Sequence, residues 1–216
     1  MQRTVDQFID AISIPHLERM HNPWSQCCDT ESVPNGHIAR RERLKLHLEC
    51  PDPKIVIIGE APGYQGCRYS GVAFTSERLL LEGSIPRMPD MQGSRITTRK
   101  KPWSEPSATI VWGALHEHGL AEHAILFNAV PWHPEGSKGG LSNRTPTSKE
   151  KEIGVPYLRR LLDLFEGVPV AALGNIASDN LKELGISHTK LRHPANGGAT
   201  IFRNGLRDFV KRSYGS

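Results

Sequence analysis

The chain has 216 residues, with 27 lysines and arginines against 23 acidic residues and a formal charge of +4. This length suits one α/β domain with a substantial core, and the mild positive charge permits a nucleic-acid partner without requiring one. No apolar run approaches the length of a membrane span, and the polar residues that follow Met1 do not begin a signal peptide. We therefore expect a cytoplasmic protein with no membrane association.

The first fifty residues predict a helical N-terminal segment of a single domain that spans residues 1–216. Helices are predicted at 4–14 and, in a strongly charged segment, at 38–48. The four cysteines are Cys27, Cys28, Cys50 and Cys67. Without a secretory signal we expect reduced thiols, and adjacent Cys27 and Cys28 lack the C-x-x-C spacing typical of iron–sulfur ligands. We expect no metal and no cofactor, with a metal site as the minor alternative.

The most informative segment is a strand predicted at 54–58 together with the turn that follows it. Residues 55–58 are all β-branched, which suits a central strand covered on both faces. Gly59 and the Pro62-Gly63 turn stop the strand and leave Glu60 at its carboxyl end. Open α/β sheets bind ligands at that edge. The alternative is a core strand whose Glu60 is simply solvated.

The rest of the chain alternates helices with strands. Further strands are predicted at 124–128, 168–173 and 189–192, and further helices at 76–82, 108–118, 149–165, 176–184 and 199–214. The helix at 149–165 should kink or restart near Gly154 and Pro156. Residues 83–107 and 129–147 show no period and are predicted to be long loops. The alternation predicts an α/β fold with three α/β/α layers around a central, mostly parallel four-stranded sheet.

Three predicted strands end in polar side chains, namely Glu60, Asn128 and His193. Right-handed crossovers bring such ends to one edge of a sheet. At this edge of the sheet a carboxylate can hold a water, and an amide can bond a ligand edge that carries one hydrogen-bond donor and one acceptor. An imidazole can stabilise a leaving anion. Taken singly, each residue also has a structural explanation as a helix cap or solvated acid, a turn residue or a buried histidine. Their occurrence at three equivalent strand ends favours a functional site.

Five short motifs follow one another between Lys54 and the C terminus. They are GEAPG at 59–63, GVAFT at 71–75, Asn128 at a strand end, NRTPT at 143–147 with 152–158 beyond it, and RHPAN at 192–196. In this order they resemble the uracil-DNA glycosylase superfamily, and most closely its family 4 and family 5 branches. The order and spacing of the motifs supply the specificity that each lacks alone.

The resemblance implies a DNA glycosylase that hydrolyses the N-glycosidic bond of uracil or another altered pyrimidine, in single-stranded DNA or from an extruded base. It implies that Phe74 stacks on the base and that Asn128 bonds its Watson–Crick edge. It further implies that His193 donates a hydrogen bond to O2 of the departing base and that Glu60 holds the attacking water. No cofactor is implied, and we expect a monomer.

Several positions depart from the family pattern. Residues 132–134 and 152–156 contain no cysteine where family 4 members carry iron–sulfur ligands, so the cluster is not carried over and Trp132 is expected to serve packing. Ala61 stands where some branches place a water-activating Asp or Asn, which leaves Glu60 as the best carboxylate. Residues 195–198 lack the apolar wedge with which several relatives fill the gap left by a flipped nucleotide.

The departure at Gly63 concerns the base itself. The uracil-exclusive branch has a tyrosine at this position that blocks substituents on C5 of the base. Gly63 leaves room for a larger, 5-substituted pyrimidine, and Tyr64 can refill part of that space. We assign both residues to base binding.

Basic and polar residues flank the motifs and predict contacts with DNA phosphates. The residues assigned to this role are Arg95, Arg99, Lys100, Lys101, Arg192 and Asn196. The alternative is ordinary solvated surface. Two competing functions remain open: a catalytically silent superfamily member that binds DNA or a free base, and a nucleotide-directed small-molecule hydrolase. The setting would be base-excision DNA repair or defence against foreign DNA, such as phage DNA, with modified bases.

Overall fold

A computed structural model describes residues 4–28, 30–31, 34–88 and 95–215 of the chain. The strands, numbered along the chain, are β1 (Met20–His21), β2 (Ile55–Gly59), β3 (Ala124–Asn128), β4 (His133–Gly136), β5 (Gly139–Asn143), β6 (Val170–Leu173) and β7 (Thr189–Leu191). Four of them form the central sheet in the order β3-β2-β6-β7, with every neighbouring pair parallel. The α/β class and the four-stranded parallel sheet predicted from the sequence are confirmed.

Helices cover both faces of this sheet. They are α1 (Val5–Ser13), α2 (Gly36–Leu48), α3 (Cys67–Ser70), α4 (Glu77–Leu81), α5 (Pro106–Glu117), α6 (Ser148–Leu164), α7 (Asn175–Glu183) and α8 (Ala199–Tyr214). Ile55 and Ile57 of β2 pack with α5 and α8, whereas Val56 and Ile58 pack with α1, α2 and α6 on the opposite face. Among the described residues, no helix combines the length and apolarity needed to cross a bilayer.

The register of the central strands brings their polar ends together. Gly59 is paired with Asn128 at the carboxyl ends of β2 and β3. The pairing continues past the strands, because the Ala129 N–H donates to the Gly59 carbonyl at 2.8 Å and the Val130 N–H donates to the Glu60 carbonyl at 2.9 Å. The backbone at Glu60 is therefore held by the neighbouring chain segment although Glu60 lies outside the strand.

Helix α6 continues through Pro156, so of the two outcomes predicted near Gly154 and Pro156, a kink or a restart, the restart does not occur. A proline removes one backbone hydrogen bond, and packing on both sides of it holds this helix together. A Cβ atom on Gly154 would lie only 2.7 Å from the Ala129 carbonyl oxygen, so α6 approaches the end of β3 closely. Beyond the proline, Leu158 is buried in the core.

The predicted loop at 129–147 is wrong in part, because it contains the antiparallel hairpin of β4 and β5. Strand β1 pairs with β4, which gives a second, three-stranded sheet in the order β1-β4-β5. Prolines and glycines interrupt any apolar alternation in this segment. The hairpin is instead tied down by polar contacts, among them the ion pair of Arg68 with Glu135 at 2.8 Å. Neither β1 nor the four-residue helix α3 was predicted.

Candidate active site

A cavity of about 1560 Å³ opens at the carboxyl edge of the central sheet. Six of the residues singled out from the sequence line it: Glu60, Gly63, Phe74, Arg192, His193 and Asn196. They come from the segments that follow β2 and β7, which are separated by β6 in the sheet. The cavity thus lies at the carboxyl ends of several strands, which is where open parallel sheets bind ligands.

Glu60 is half-buried at the end of β2. Burial raises the pKa of its carboxyl above the ordinary value, and the nearby Lys151 ammonium opposes this rise. A carboxylate with less water around it is a better hydrogen-bond acceptor for one bound water molecule. Glu60 can therefore hold and polarise a water at the cavity wall.

His193 follows β7, and the backbone fixes its tautomer. The Ala195 N–H donates to His193 Nδ1 at 3.1 Å, so Nδ1 is the acceptor and the proton of the neutral ring lies on Nε2. Burial, together with the positive charge of Arg192, lowers the pKa of His193 below 6.5. The imidazole is thus neutral at physiological pH and offers the Nε2–H as a hydrogen-bond donor.

Phe74 has a backbone conformation that non-glycine residues seldom adopt, with φ at +50°. The turn before it is held firmly, since Gly71 (φ +84°) passes so close to α2 that a Cβ atom would lie 2.7 Å from the Arg40 carbonyl oxygen. After it, Thr75 Oγ1 accepts a hydrogen bond from Trp112 Nε1 at 3.1 Å. These contacts on either side of Phe74 direct its ring toward the cavity, and the ring centroid lies 6.4 Å from that of His193.

Asn128 lies beside Phe74 at the strand ends but is not among the residues that line the cavity. The side chains of Phe74 and Asn128 both pack against Gly59. A Cβ atom on Gly59 would lie 2.5 Å from Phe74 Cζ and 2.7 Å from Asn128 Oδ1. Asn128 is 5% exposed. Glycine is therefore needed at position 59, because any side chain would displace the aromatic ring and the amide.

Two further cavity-lining residues, Glu105 and Asn143, contact the turn around Gly63. Glu105 directly precedes α5, and its Oε2 is buried without a hydrogen-bond partner among the described residues. Burial raises the pKa of this carboxyl to about 7. Sequence reasoning missed Glu105, since it stands in an aperiodic segment and belongs to none of the motifs; the sequence does show a Glu-Pro pair at a helix start. Asn143 lies in a motif, but no role was assigned to it.

The space beside Gly63 is bordered by Glu105 rather than by Tyr64. A Cβ atom on Gly63 would lie 3.2 Å from Glu105 Oε1 and 3.9 Å from Asn143 Nδ2. The Tyr64 ring packs edge-on against Trp103 at 5.6 Å and is not among the cavity-lining residues. Its backbone N–H donates to Asn143 Oδ1 at 2.9 Å.

The predicted phosphate-binding residues lie in two groups. Arg192 and Asn196 are exposed at the cavity. Arg99, Lys100 and Lys101 are exposed in the segment that leads to Glu105, with the Arg99 guanidinium 3.7 Å above the Trp103 ring. Arg95 is partly buried, and its guanidinium donates to the Arg99 carbonyl. The exposed cations can contact a polyanion, whereas the Arg95 side chain hydrogen-bonds the backbone of its own loop.

The cysteines do not fit an iron–sulfur cluster. Cys67 is buried next to Glu105, whereas Cys50 Sγ donates to the Glu122 carbonyl at 3.4 Å and Cys27 lies beside His37. Within the described ranges, no three His, Cys, Asp or Glu side chains converge as a metal site would require. Trp132, which stands in the loop where family 4 members carry a cysteine, is 1% exposed and donates to the Ile12 carbonyl at 2.9 Å.

Fold and cavity together define an α/β/α protein with a ligand site at the carboxyl edge of its parallel sheet. A model of the uracil DNA glycosylase superfamily matches residues 46–210, and the chain belongs to this superfamily. A crystal structure of wild-type SMUG2 from Pedobacter heparinus is similar, with a TM-score of 0.67 and 16% sequence identity over 98% of each chain. At 16% sequence identity, the similarity to this structure is evidence for the fold alone. No curated protein matches the chain.

Proposed function

We propose that this protein is a DNA glycosylase, which hydrolyses the N-glycosidic bond of an altered pyrimidine in DNA. The observation that carries the proposal is the convergence of Glu60, Phe74 and His193 on one cavity, with Asn128 beside Phe74 at the same strand ends. Membership of the uracil DNA glycosylase superfamily supports the same chemistry. Uracil and 5-substituted pyrimidines are the candidate bases.

The base must leave the helical stack before it can enter the cavity, which costs a few kcal/mol in a duplex and less in single-stranded DNA. Phe74 then stacks on the base, and the amide of Asn128 bonds its Watson–Crick edge. One bidentate amide contact of this kind discriminates between bases by about 1–3 kcal/mol. These contacts orient the base and select it, but they do not break its bond.

Bond cleavage leaves positive charge on the sugar and negative charge on the base. The Nε2–H of neutral His193 stabilises the developing anion at O2, and a preorganised donor of this type contributes about 3–4 kcal/mol. Glu60 offsets the positive sugar and holds the water that attacks C1′. The hydrogen bond that His193 Nδ1 accepts from Ala195 keeps the donor in position throughout.

DNA is the proposed macromolecular partner. The exposed cations, Arg192 at the cavity and residues 99–101 in the segment that leads to Glu105, support phosphate binding. Since residues 195–198 provide no apolar wedge, we propose that single-stranded or already distorted DNA is preferred. The enzyme acts as a monomer in the cytoplasm in this proposal, in base-excision repair or in defence against modified foreign DNA.

Base-release assays distinguish this function from its two alternatives. Single-stranded oligonucleotides that carry uracil, hypoxanthine or a 5-substituted cytosine are incubated with the protein, and abasic sites are detected by alkaline cleavage. Release of a pyrimidine supports the glycosylase. Salt-sensitive DNA binding without release would instead identify a silent binding protein. Turnover of free nucleotides without DNA binding would identify a small-molecule hydrolase.

A further inference from the structure

Three flat side chains that the mechanism above does not use stack on one another near the segment before α5. The Tyr69 and Trp103 rings lie with their centroids 5.3 Å apart at an interplanar angle of 8°. The Arg99 guanidinium lies 3.7 Å from the centroid of the Trp103 ring. Tyr69 is 1% exposed and Trp103 is 6% exposed, whereas Arg99 is exposed. The guanidinium is therefore the layer of this stack that faces solvent.

The segment that carries Arg99 and Trp103 is held in place by the buried carboxylate of Glu77. Glu77 Oε1 accepts from the Thr97 N–H at 2.9 Å. Glu77 Oε2 accepts from Thr97 Oγ1 at 2.6 Å and from the Trp103 N–H at 3.1 Å, so one carboxylate closes the chain between residues 97 and 103 into a loop. The Thr98 N–H also donates to the Thr30 carbonyl at 2.8 Å. The loop therefore presents Arg99 from a fixed backbone.

The exposed cations of this loop have no acidic partner in the part of the chain that the structure describes. No aspartate or glutamate there lies within ion-pair distance of Arg99, Lys100 or Lys101. Unpaired cations next to stacked aromatic rings favour a partner that carries both negative charge and flat rings, which is the chemistry of single-stranded nucleic acid. A planar guanidinium can stack on a base, whereas a lysine ammonium acts on a phosphate as a point charge.

The stack lies next to the candidate active site. The Tyr64 ring packs edge-on against Trp103 at 5.6 Å, and the residue before it, Gly63, lines the cavity. Glu105, which follows Trp103 after one serine, lines the cavity as well. A DNA strand whose target base occupies the cavity can therefore place a neighbouring base on Arg99.

We propose that Arg99, backed by Trp103, is a stacking platform for an unpaired base that neighbours the target nucleotide in DNA. The proposal rests on the proposed function, since it takes the target base to lie in the cavity. Stacking requires only a flat π face, so the platform adds affinity without reading the sequence. A base inside a duplex has both faces covered by its neighbours, so the platform selects single-stranded DNA. Lys100 and Lys101 contact the phosphates beside this base in the same arrangement.

The test combines removal of one base from the DNA with a substitution that conserves charge. Short single-stranded oligonucleotides carry 2′-fluoro-2′-deoxyuridine, which resists cleavage, as the target nucleotide. At each of the three positions on either side, a tetrahydrofuran residue replaces one nucleoside, and Kd is measured by fluorescence anisotropy. For wild type we expect one position at which loss of the base weakens binding by about 5- to 150-fold.

Arg99→Lys should bind the intact oligonucleotide more weakly by a similar factor, because lysine keeps the charge and lacks the plane. On the oligonucleotide without that base, the variant and wild type should bind alike, since neither can form the stack. If base removal weakens binding by the same factor in Arg99→Lys and in wild type at every position, the platform is wrong. A lower Tm of Arg99→Lys together with that result would leave the stack a structural feature of the loop.

Two control variants separate stacking from charge. Lys100→Gln loses one charge, so it should weaken binding to all the oligonucleotides by one common factor and keep the effect of the missing base. Arg212→Lys makes the same exchange as Arg99→Lys at an exposed position in the last turn of α8. It should leave every Kd as in wild type, and a coupling to the missing base as large as that of Arg99→Lys would overturn the assignment to Arg99.

The binding readout needs no base release, so the platform and the glycosylase function can fail separately. If uracil is released but Arg99 shows no coupling to any neighbouring base, the platform is wrong and the glycosylase stands. If no base is released but the coupling is found, the platform stands in a protein that binds DNA without cleaving it. Absence of DNA binding overturns the platform whatever the base-release assay shows.

Discussion

The carboxyl of Glu105 is partly buried at the cavity wall, with Oε2 out of contact with solvent, and we expect a stability penalty that arises only when the group is ionised. Burial raises its pKa from the ordinary 4.5 to about 7. The folded state therefore holds this proton more tightly than the unfolded state, so the contribution of Glu105 to stability falls as pH rises from 4.5 through 7. The two pKa values differ by about 2.5, and at about 1.4 kcal/mol for each unit the ionised carboxyl costs about 3 kcal/mol.

Glu105→Gln should remove this penalty, because the amide has nearly the same shape and cannot ionise. Near about pH 4.5 both proteins should have similar free energies of unfolding, and above about pH 7.5 the variant should be more stable by about 3 kcal/mol. For a chain of this size that corresponds to a rise in Tm of about 6–12 °C. Burial, and after it the Glu105 carboxylate, raise the pKa of the neighbouring Cys67 thiol, so this thiol stays neutral.

Urea denaturation followed by circular dichroism at about pH 5 and about pH 8.5 measures both free energies. The control is Glu117→Gln, which loses an exposed ion pair with Arg203 and should change stability by less than about 1 kcal/mol. A Glu105→Gln variant that is no more stable than wild type at the higher pH would refute the reasoning. So would a gain of equal size at both pH values, because the effect would then not depend on ionisation.

Three further predictions concern the site. Base release should fall as pH drops through the raised pKa of Glu60, because protonation removes the carboxylate that holds the water. Glu60→Gln should be nearly inactive, and its residual activity should not show this fall at low pH. If the fall persists in the variant, Glu60 is not its source. Replacing all three basic residues at 99–101 with glutamine should flatten the salt dependence of DNA binding, by about 0.7–0.9 in log–log slope for each phosphate that the variant no longer neutralises. An unchanged slope would make these residues ordinary surface. Gly63→Tyr should suppress a 5-substituted pyrimidine more than uracil, since its ring must enter the space that Glu105 borders, and equal losses on both substrates would contradict the enlarged pocket.

The central sheet could be predicted because its signals are local. Residues 55–58 and 124–127 are short apolar runs that end at a glycine or a polar residue, and the structure has strands at both places. Burial on two faces needs apolar side chains throughout, so such strands are visible in the sequence. The helices from α4 onward likewise matched their predicted positions to within a few residues.

The hairpin of β4 and β5 could not be predicted, because its stability depends on distant partners. Arg68, which ties it down, is 67 residues away in the chain from Glu135. The same limit applies to the cavity. The motifs identified the residues at strand ends, but the approach of Glu105 to Gly63 and Gly66 follows from how the segment before α5 folds back over the turn after β2. Periodicity carries no information about such a contact.

Base release by variants of His193 and Asn128 tests most directly whether these two residues act on the base. Free base released from a single-stranded uracil oligonucleotide is quantified by mass spectrometry for wild type, His193→Ala and Asn128→Ala, with the exposed His16→Ala as control. We expect base release by wild type and by the control, and a loss of about 100- to 1000-fold in His193→Ala with Tm unchanged. Asn128→Ala should also lose most activity. Turnover within about threefold of wild type in both variants, with folding intact, would contradict the account.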